Sequence, residues 1–211
     1  MAAPLTKIGL ANRALARFGA GAIQSFDQSI APGPAVALLY DTVVDGLLAE
    51  YPWSFTEQTV SLQPIVEAPR ADGFLIEGWR NAYALPANLL ALPERYQRAP
   101  VREYAPVTRF EVQNQTVYCD EDALWAVCRM RVDEAQWPPY FVRAAVACLA
   151  AELVMSISGN SGQRDALAAE AWGTPEQQRS GGFLGMAKTM DARGAGVRSL
   201  PRDPLTLARM S

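Results

Sequence analysis

Apolar residues recur every three or four positions in two N-terminal stretches, which predicts two amphipathic helices. The first covers residues 5–18, and Gly19 follows it as a residue that readily takes the left-handed conformation of a helix end. The second begins at Pro34 and ends at Glu50, just before Pro52. Because each helix has one apolar face, we expect the two helices to pack on each other.

An aromatic cluster follows the second helix in the sequence Tyr51-Pro52-Trp53-Ser54-Phe55. Large aromatic side chains at the point where the chain leaves a helix pair are well placed to close its core. We therefore expect Trp53 and Phe55 to be buried. The alternative is that they are exposed anchors for a partner protein, since tryptophan is common at the centres of interfaces.

The middle of the chain has the alternating pattern of short strands. A polar turn at residues 113–115 separates two of these strands, which predicts a hairpin. Several prolines interrupt the region, so we expect no long regular sheet. The segment 68–79 is expected to be an extended loop. The predicted strands cover residues 59–62, 110–112, 116–119 and 124–132.

Helical periodicity returns in the C-terminal third of the chain. A broad apolar face over residues 141–157 predicts the most buried helix, which ends at Gly159. Ser161 is positioned to cap a fourth helix. The sequence Gly173-Thr174-Pro175 should end that helix, and from Gly181 onward the frequent glycines and prolines favour an extended tail.

These elements predict an α+β protein that is mainly α. The expected architecture is an antiparallel helical bundle formed by residues 1–55 and 137–180. A small β-rich region, residues 56–136, is inserted between the two helical parts. An extended basic tail covers residues 181–211.

Composition and charge narrow the choice of partners. The chain has 211 residues, of which 50% are hydrophobic, so it can bury a substantial core. Its net charge is only −3, which gives no overall attraction to nucleic acid. From Arg179 to the C-terminus, six basic residues stand against two acidic ones. This basic tail is expected either to be disordered or to become ordered on a partner.

The cysteines and the apolar segments bear on the cellular compartment. Cys119, Cys128 and Cys148 show no paired spacing and lie among apolar residues, so we expect buried free thiols rather than disulfides. The N-terminal residues lack the pattern of a secretion signal. The apolar run over residues 144–157 is shorter than the ~20 residues that cross a bilayer, which predicts no membrane association.

Catalytic chemistry has few candidates in this sequence. The chain contains no histidine, which removes the commonest general base and metal ligand. The one dense carboxylate cluster is Asp120-Glu121-Asp122, which could bind a divalent cation or simply face solvent. Gly19-Ala20-Gly21 follows a helix rather than a strand and is interpreted as a turn, not a phosphate loop. We expect no catalytic, cofactor-binding or metal site.

Several segments resemble, in order and spacing, the tail tubular protein A family, the head-to-tail adaptors of short-tailed phages. The resemblance covers most of residues 5–175. It departs from the family pattern at the interrupted fourth helix and in the basic tail. The matching stretches are Asn12-Arg13-Ala14-Leu15, Phe18-Gly19, Ile23 with Ser25, Leu39-Tyr40-Asp41, Asp45 with Leu47-Leu48, Tyr51-Pro52-Trp53-Ser54-Phe55, Tyr83-Ala84-Leu85-Pro86 and Pro139-Tyr140-Phe141-Val142.

The resemblance implies a structural virion protein rather than an enzyme. It implies a homo-oligomeric, dodecameric ring that is assembled in the host cytoplasm, docks on the portal protein and contacts a tail nozzle or tail tube protein. DNA would pass through the ring without sequence-specific binding, past acidic walls that do not retain phosphates. The partner-binding residues that we predict in the tail are Phe183, Leu184, Arg193, Arg198 and Arg202.

Two other functions remain open at this point. One is a different ring protein of the virion, such as a head-completion or tail-terminator protein, which would have the same structural role with another partner. The other is a small carboxylate-dependent hydrolase with its site at Asp120, Glu121 and Asp122.

Overall fold

The computed structural model describes residues 5–65, 78–100, 106–177 and 181–194. Within these ranges the protein combines five α-helices with two antiparallel sheets, which confirms the prediction of mixed α and β structure. The helices are α1 (Lys7–Ala16), α2 (Gly33–Glu50), α3 (Pro139–Ser158), α4 (Ser161–Trp172) and α5 (Gly182–Gly194). The strands are β1 (Glu57–Ser61), β2 (Gln63–Pro64), β3 (Asn81–Ala84), β4 (Leu89–Gln97), β5 (Glu111–Gln113), β6 (Thr116–Cys119) and β7 (Trp125–Met130).

Helix α3 lies at the centre of the helical part and contacts the other four helices. Its buried residues include Phe141, Leu149 and Leu153, each at 0% exposure, which confirms it as a deeply buried helix. Helices α1 and α2 contact each other through Lys7 and Asp41, but each packs mainly on α3, which the sequence did not predict. The apolar faces of both helices are covered by this third helix, which lies far from them in sequence.

The helix ends follow from local hydrogen bonding. The Thr6 side chain accepts a hydrogen bond from the Gly9 N–H and caps α1. The Asn160 side chain caps α4 by accepting from the Gln163 N–H, so the N-cap is Asn160 rather than the expected Ser161. Gly159, with φ of 65°, ends α3 in the left-handed conformation as predicted.

The aromatic cluster after α2 belongs to the core. Trp53 is fully buried, and its indole N–H donates to the Leu47 carbonyl at 2.8 Å. Its ring lies 4.8 Å from the ring of Phe141 on α3, and the Phe55 ring lies 5.0 Å from Phe141. Trp53 and Phe55 therefore join the helical core, as expected, instead of forming exposed anchors.

The strands form two small sheets with one shared core. One sheet has the order β1-β7-β4, and the other has the order β2-β3-β6-β5. The positions that pair across strands include Val60 with Ala126 and Tyr83 with Val117. The core between the sheets contains residues of both, among them Tyr83, Tyr96, Val117, Leu124 and Cys128.

The sequence missed β4, the longest strand. The prolines of the middle region led us to expect only short pieces, yet β4 has nine residues and contains Pro93. The pairing of β4 with β7 shifts between Ala91 and Arg95, so the proline lies at an irregularity where no ladder N–H is needed. The predicted turn is confirmed: Asn114 and Gln115, with φ of 46° and 64°, connect β5 to β6.

The chain after residue 181 differs from the expected extended tail. Residues 182–194 form α5, which packs on α3 and α4. Leu184, Ala187 and Asp191 recur at helical spacing and are all buried. The glycines concealed this short period in the sequence. Residues 195–211 and most of the expected loop at 68–79 lie outside the described residues.

Helix α3 is longer than the apolar run at 144–157 that the sequence suggested. With 20 residues it has the length and composition of a membrane span, the only helix of the described part to do so. However, 61% of its most apolar window is buried inside the protein, as is usual for a central core helix.

Candidate partner-binding surface

Helix α5 is held on the protein by a buried carboxylate. Asp191 is 1% exposed and accepts three hydrogen bonds, from the Ser54 backbone N–H at 2.9 Å, the Ser54 hydroxyl at 2.7 Å and the Tyr140 hydroxyl at 2.8 Å. Burial and the neighbouring Asp191 carboxylate raise the pKa of Tyr140 to about 12. The Tyr140 hydroxyl thus keeps its proton for this bond, and the orientation of α5 about its axis is fixed.

The outward face of α5 carries an exposed apolar groove. Met186 and Met190, one helical turn apart, are 54% and 53% exposed. They line a cavity of about 490 Å³ together with Phe183, Thr189 and Arg193. Methionine side chains are flexible and adapt to irregular partners, and pairs of exposed methionines are common at binding surfaces. We call this face, defined by Phe183, Met186, Met190 and Arg193, the α5 groove.

The residues predicted to bind a partner separate into three groups. Phe183 and Arg193 lie together in the α5 groove. Leu184 is only 3% exposed and packs within its own chain, so in this fold it does not belong to the outward face. Arg198 and Arg202 lie outside the described residues, and their role stays a prediction.

Phe183 connects the α5 groove to neighbouring helices. The guanidinium of Arg143 on α3 lies 3.9 Å from the centre of the Phe183 ring, and that of Arg17 on α1 lies 5.9 Å from it. Arg17 also forms an ion pair with Glu170 on α4. The N-terminal end of α5 is therefore in contact with three other helices.

Two acids of the carboxylate cluster at residues 120–122, Asp120 and Glu121, pair with arginines. The Arg98 guanidinium donates two hydrogen bonds of 2.7 Å to Glu121 and holds the pKa of that carboxyl below its usual range. Asp120 pairs with Arg109 at 3.2 Å. The part of the chain that the structure describes contains no group of three side chains that could hold a metal ion. These acids act as surface ion pairs that connect loops of the β region.

The three cysteines are buried and free, as predicted. Burial raises the pKa of the Cys128 thiol to about 11 and that of the Cys148 thiol to about 12. Both thiols stay protonated at neutral pH, so neither is a reactive nucleophile. They fill space in the two cores.

Met186 and Met190 on the outer face of α5, and Asp191 on its inner face, were not predicted from the sequence. The available signal was the helical spacing of Leu184, Ala187 and Asp191, which places the carboxylate on the apolar face of the helix. The donors to this carboxylate belong to Ser54 and Tyr140 and could not be assigned from the sequence.

No family model matches the chain, and no curated protein matches it.

Proposed function

We propose that this protein is a structural virion protein, a subunit of the adaptor ring that joins capsid to tail by docking on the portal. In this proposal the helices form an antiparallel bundle around α3, and the β region contacts the tail nozzle or tail tube. The ring is dodecameric and lines the channel through which the genome leaves. The protein has no enzymatic activity and needs no cofactor.

The observation that carries the proposal is the α5 groove. A rigid helix, fixed by Asp191, presents Met186 and Met190 to solvent beside the basic Arg193. Such a face, apolar at its centre with a charged residue at its edge, has the anatomy of a protein interface. A surface of this kind favours a role in assembly over a role in chemistry.

The resemblance of most of residues 5–175 to the tail tubular protein A family supports a role in virion assembly. The chemistry of the described side chains is consistent with it, because Asp120 and Glu121 are paired with arginines and the thiols of Cys128 and Cys148 are protonated. The same observations make the carboxylate-dependent hydrolase the weaker alternative.

The experiment is a docking assay with the full chain and purified portal protein, followed by native mass spectrometry and negative-stain electron microscopy. We expect rings of one size on the portal. The double variant Met186→Glu, Met190→Glu places two charges in the α5 groove and should weaken docking by at least roughly tenfold. A variant that lacks residues 181–211 is not a suitable test of docking, because it would also lose Leu184 and Asp191, which are buried within the fold.

The matched control is Met155→Glu on α3, where the methionine is 44% exposed and lies outside the α5 groove. This variant should dock like the wild type. Wild-type protein that ignores the portal but caps purified tail tubes would indicate the alternative tail-terminator role. If the double variant docks as well as the wild type, the α5 groove is not the surface that binds the portal.

A further inference from the structure

A second groove lies between α1 and the beginning of α3. It encloses about 380 Å³ and has two kinds of lining. Three arginines, Arg13, Arg17 and Arg143, supply positive charge. The aliphatic side chains of Leu5, Val142 and Val146 form an apolar part. We call this site the arginine groove.

Two of these arginines have guanidinium N–H groups that bind no carboxylate of the described residues. Arg13 and Arg143 are exposed, and neither forms an ion pair with a carboxylate of the described residues. The Arg143 guanidinium is stacked on the Phe183 ring at 3.9 Å. Stacking restrains the plane of a guanidinium while its N–H groups at the edge stay available for an acceptor. Arg143 is thereby held ready to bind an oxyanion.

The acids around the arginine groove are already engaged. Glu134, which also lines it, accepts a hydrogen bond from the Tyr40 hydroxyl at 3.0 Å and pairs with Arg131 at 3.4 Å. Glu170 pairs with Arg17. The groove therefore keeps positive charge that its own chain does not neutralise.

The chemistry of the groove selects the kind of ligand. Positive edge groups next to aliphatic side chains fit a protein segment that presents a carboxylate beside an aliphatic residue. A nucleic acid fits less well, because single strands need stacking platforms and duplexes need a row of phosphate contacts. Trp137, the aromatic side chain in this lining, is only 6% exposed and cannot stack on a base.

The same chain presents a matching segment on α2. Leu38 is 75% exposed, the most exposed large apolar residue of the described chain. Asp41 is its neighbour three positions on, and both of its intramolecular partners, Lys7 and Arg131, bind Oδ1. Oδ2 accepts no hydrogen bond from a described residue. We call Leu38 and Asp41 the α2 ridge.

The α2 ridge and the arginine groove are neighbouring surfaces of one molecule, since Arg131 contacts both Asp41 of the ridge and Glu134 of the groove lining. Lys7 and Arg13 both belong to α1, and Lys7 contacts the ridge at Asp41 with a distance of 3.1 Å. They are six positions apart, which places their side chains about 120° apart around the helix axis. Neither Leu38 nor Asp41 is among the residues that line the groove, so the ridge does not fill the groove of its own chain. Contact between two copies would join unlike surfaces, which is the geometry of rings and filaments.

We propose that the arginine groove binds the α2 ridge of a second copy of this chain. Leu38 of one copy packs against Leu5, Val142 and Val146 of the next, and Asp41 Oδ2 accepts hydrogen bonds from Arg13 or Arg143. The inference rests on the proposed function, since repetition of this contact with rotation closes the ring.

The test is sedimentation velocity of the full chain over its soluble concentration range, without portal. The wild type should self-associate as its concentration rises. Arg13→Glu reverses charge in the groove and Leu38→Glu places a charge on the ridge, and each should weaken self-association at least roughly tenfold. The matched controls, which change exposed residues of the β region in the same way, are Arg80→Glu and Leu92→Glu.

Mixing the two interface variants distinguishes a contact between two different surfaces from a contact between two identical ones. The Arg13→Glu chain keeps a working ridge, and the Leu38→Glu chain keeps a working groove. An equal mixture should therefore form dimers through the one intact contact and stop there. Variants that assemble like the wild type, or a wild type that stays monomeric throughout, would overturn this interface. Portal docking is measured separately, so failure there overturns the adaptor function and not this contact.

Discussion

The helical part and the β part of this protein have cores built in different ways. The helical core surrounds one long helix, α3, to which four other helices contribute one face each. The β core lies between short strands of two sheets, and the hairpin that joins β5 to β6 turns on two residues with positive φ. A core around one helix depends on a few large side chains, whereas a core of short strands depends on register and turn geometry.

The largest effect should come from truncating Phe141 on α3. Its ring contacts the rings of Trp53, Phe55 and Trp137, so the cavity would lie where the chain segments of the helical core meet. Phe141→Ala should lower the free energy of unfolding by about 3–5 kcal/mol, measured by urea denaturation. Met155→Ala on the exposed side of α3 is the control and should change stability by less than about 0.5 kcal/mol. Equal effects would contradict a core centred on this ring.

A smaller effect is expected when α5 loses its buried carboxylate. Asp191→Ala removes the acceptor of the Ser54 N–H, the Ser54 hydroxyl and the Tyr140 hydroxyl. Leaving such donors unpaired should cost about 1.5–3 kcal/mol. In the alanine variant, the backbone amides of α5 should exchange with solvent faster than in the wild type, and those of α3 should change less. Asp191→Asn keeps one acceptor oxygen and should lose less. If α5 exchanges as slowly in the alanine variant as in the wild type, its attachment does not depend on Asp191.

The smallest effect concerns the β part and has the opposite sign. Gln115 adopts φ of 64°, which is costly for a residue with a Cβ. Gln115→Gly should raise the free energy of unfolding by up to about 1 kcal/mol, because glycine takes this conformation without strain. Gln113→Gly in β5 is the matched control and should destabilise the protein. A loss of stability at Gln115 would show that its side chain contributes more than the turn geometry does.

The sequence predicted well the elements that have a long, uninterrupted pattern. α1, α2 and α3 were found because their apolar stripes run for three turns or more, and the hairpin at Asn114 was found from its polar turn between two strand patterns. α5 was missed because glycines broke a short stripe. β4 was missed because Pro93 suggested an interruption that the irregular pairing with β7 accommodates.

The candidate surface was predicted only in part, and for a related reason. Phe183 and Arg193 were singled out by residue type, and both lie in the α5 groove. Leu184 was singled out for the same reason but faces inward. Which side of a helix is outward depends on what covers it, and the partner of α5 is the distant pair Ser54 and Tyr140.

The sequence by itself determined where most helices lie, that the three cysteines are buried and that catalytic histidine chemistry is excluded. These properties depend on composition and on contacts between near neighbours in the chain. Only the tertiary structure decided that α1 and α2 both pack on α3, that α5 is a helix held by Asp191, and that Arg143 is stacked on Phe183 beside a groove. Each of these results depends on residues far apart in the sequence, whose proximity no local pattern records.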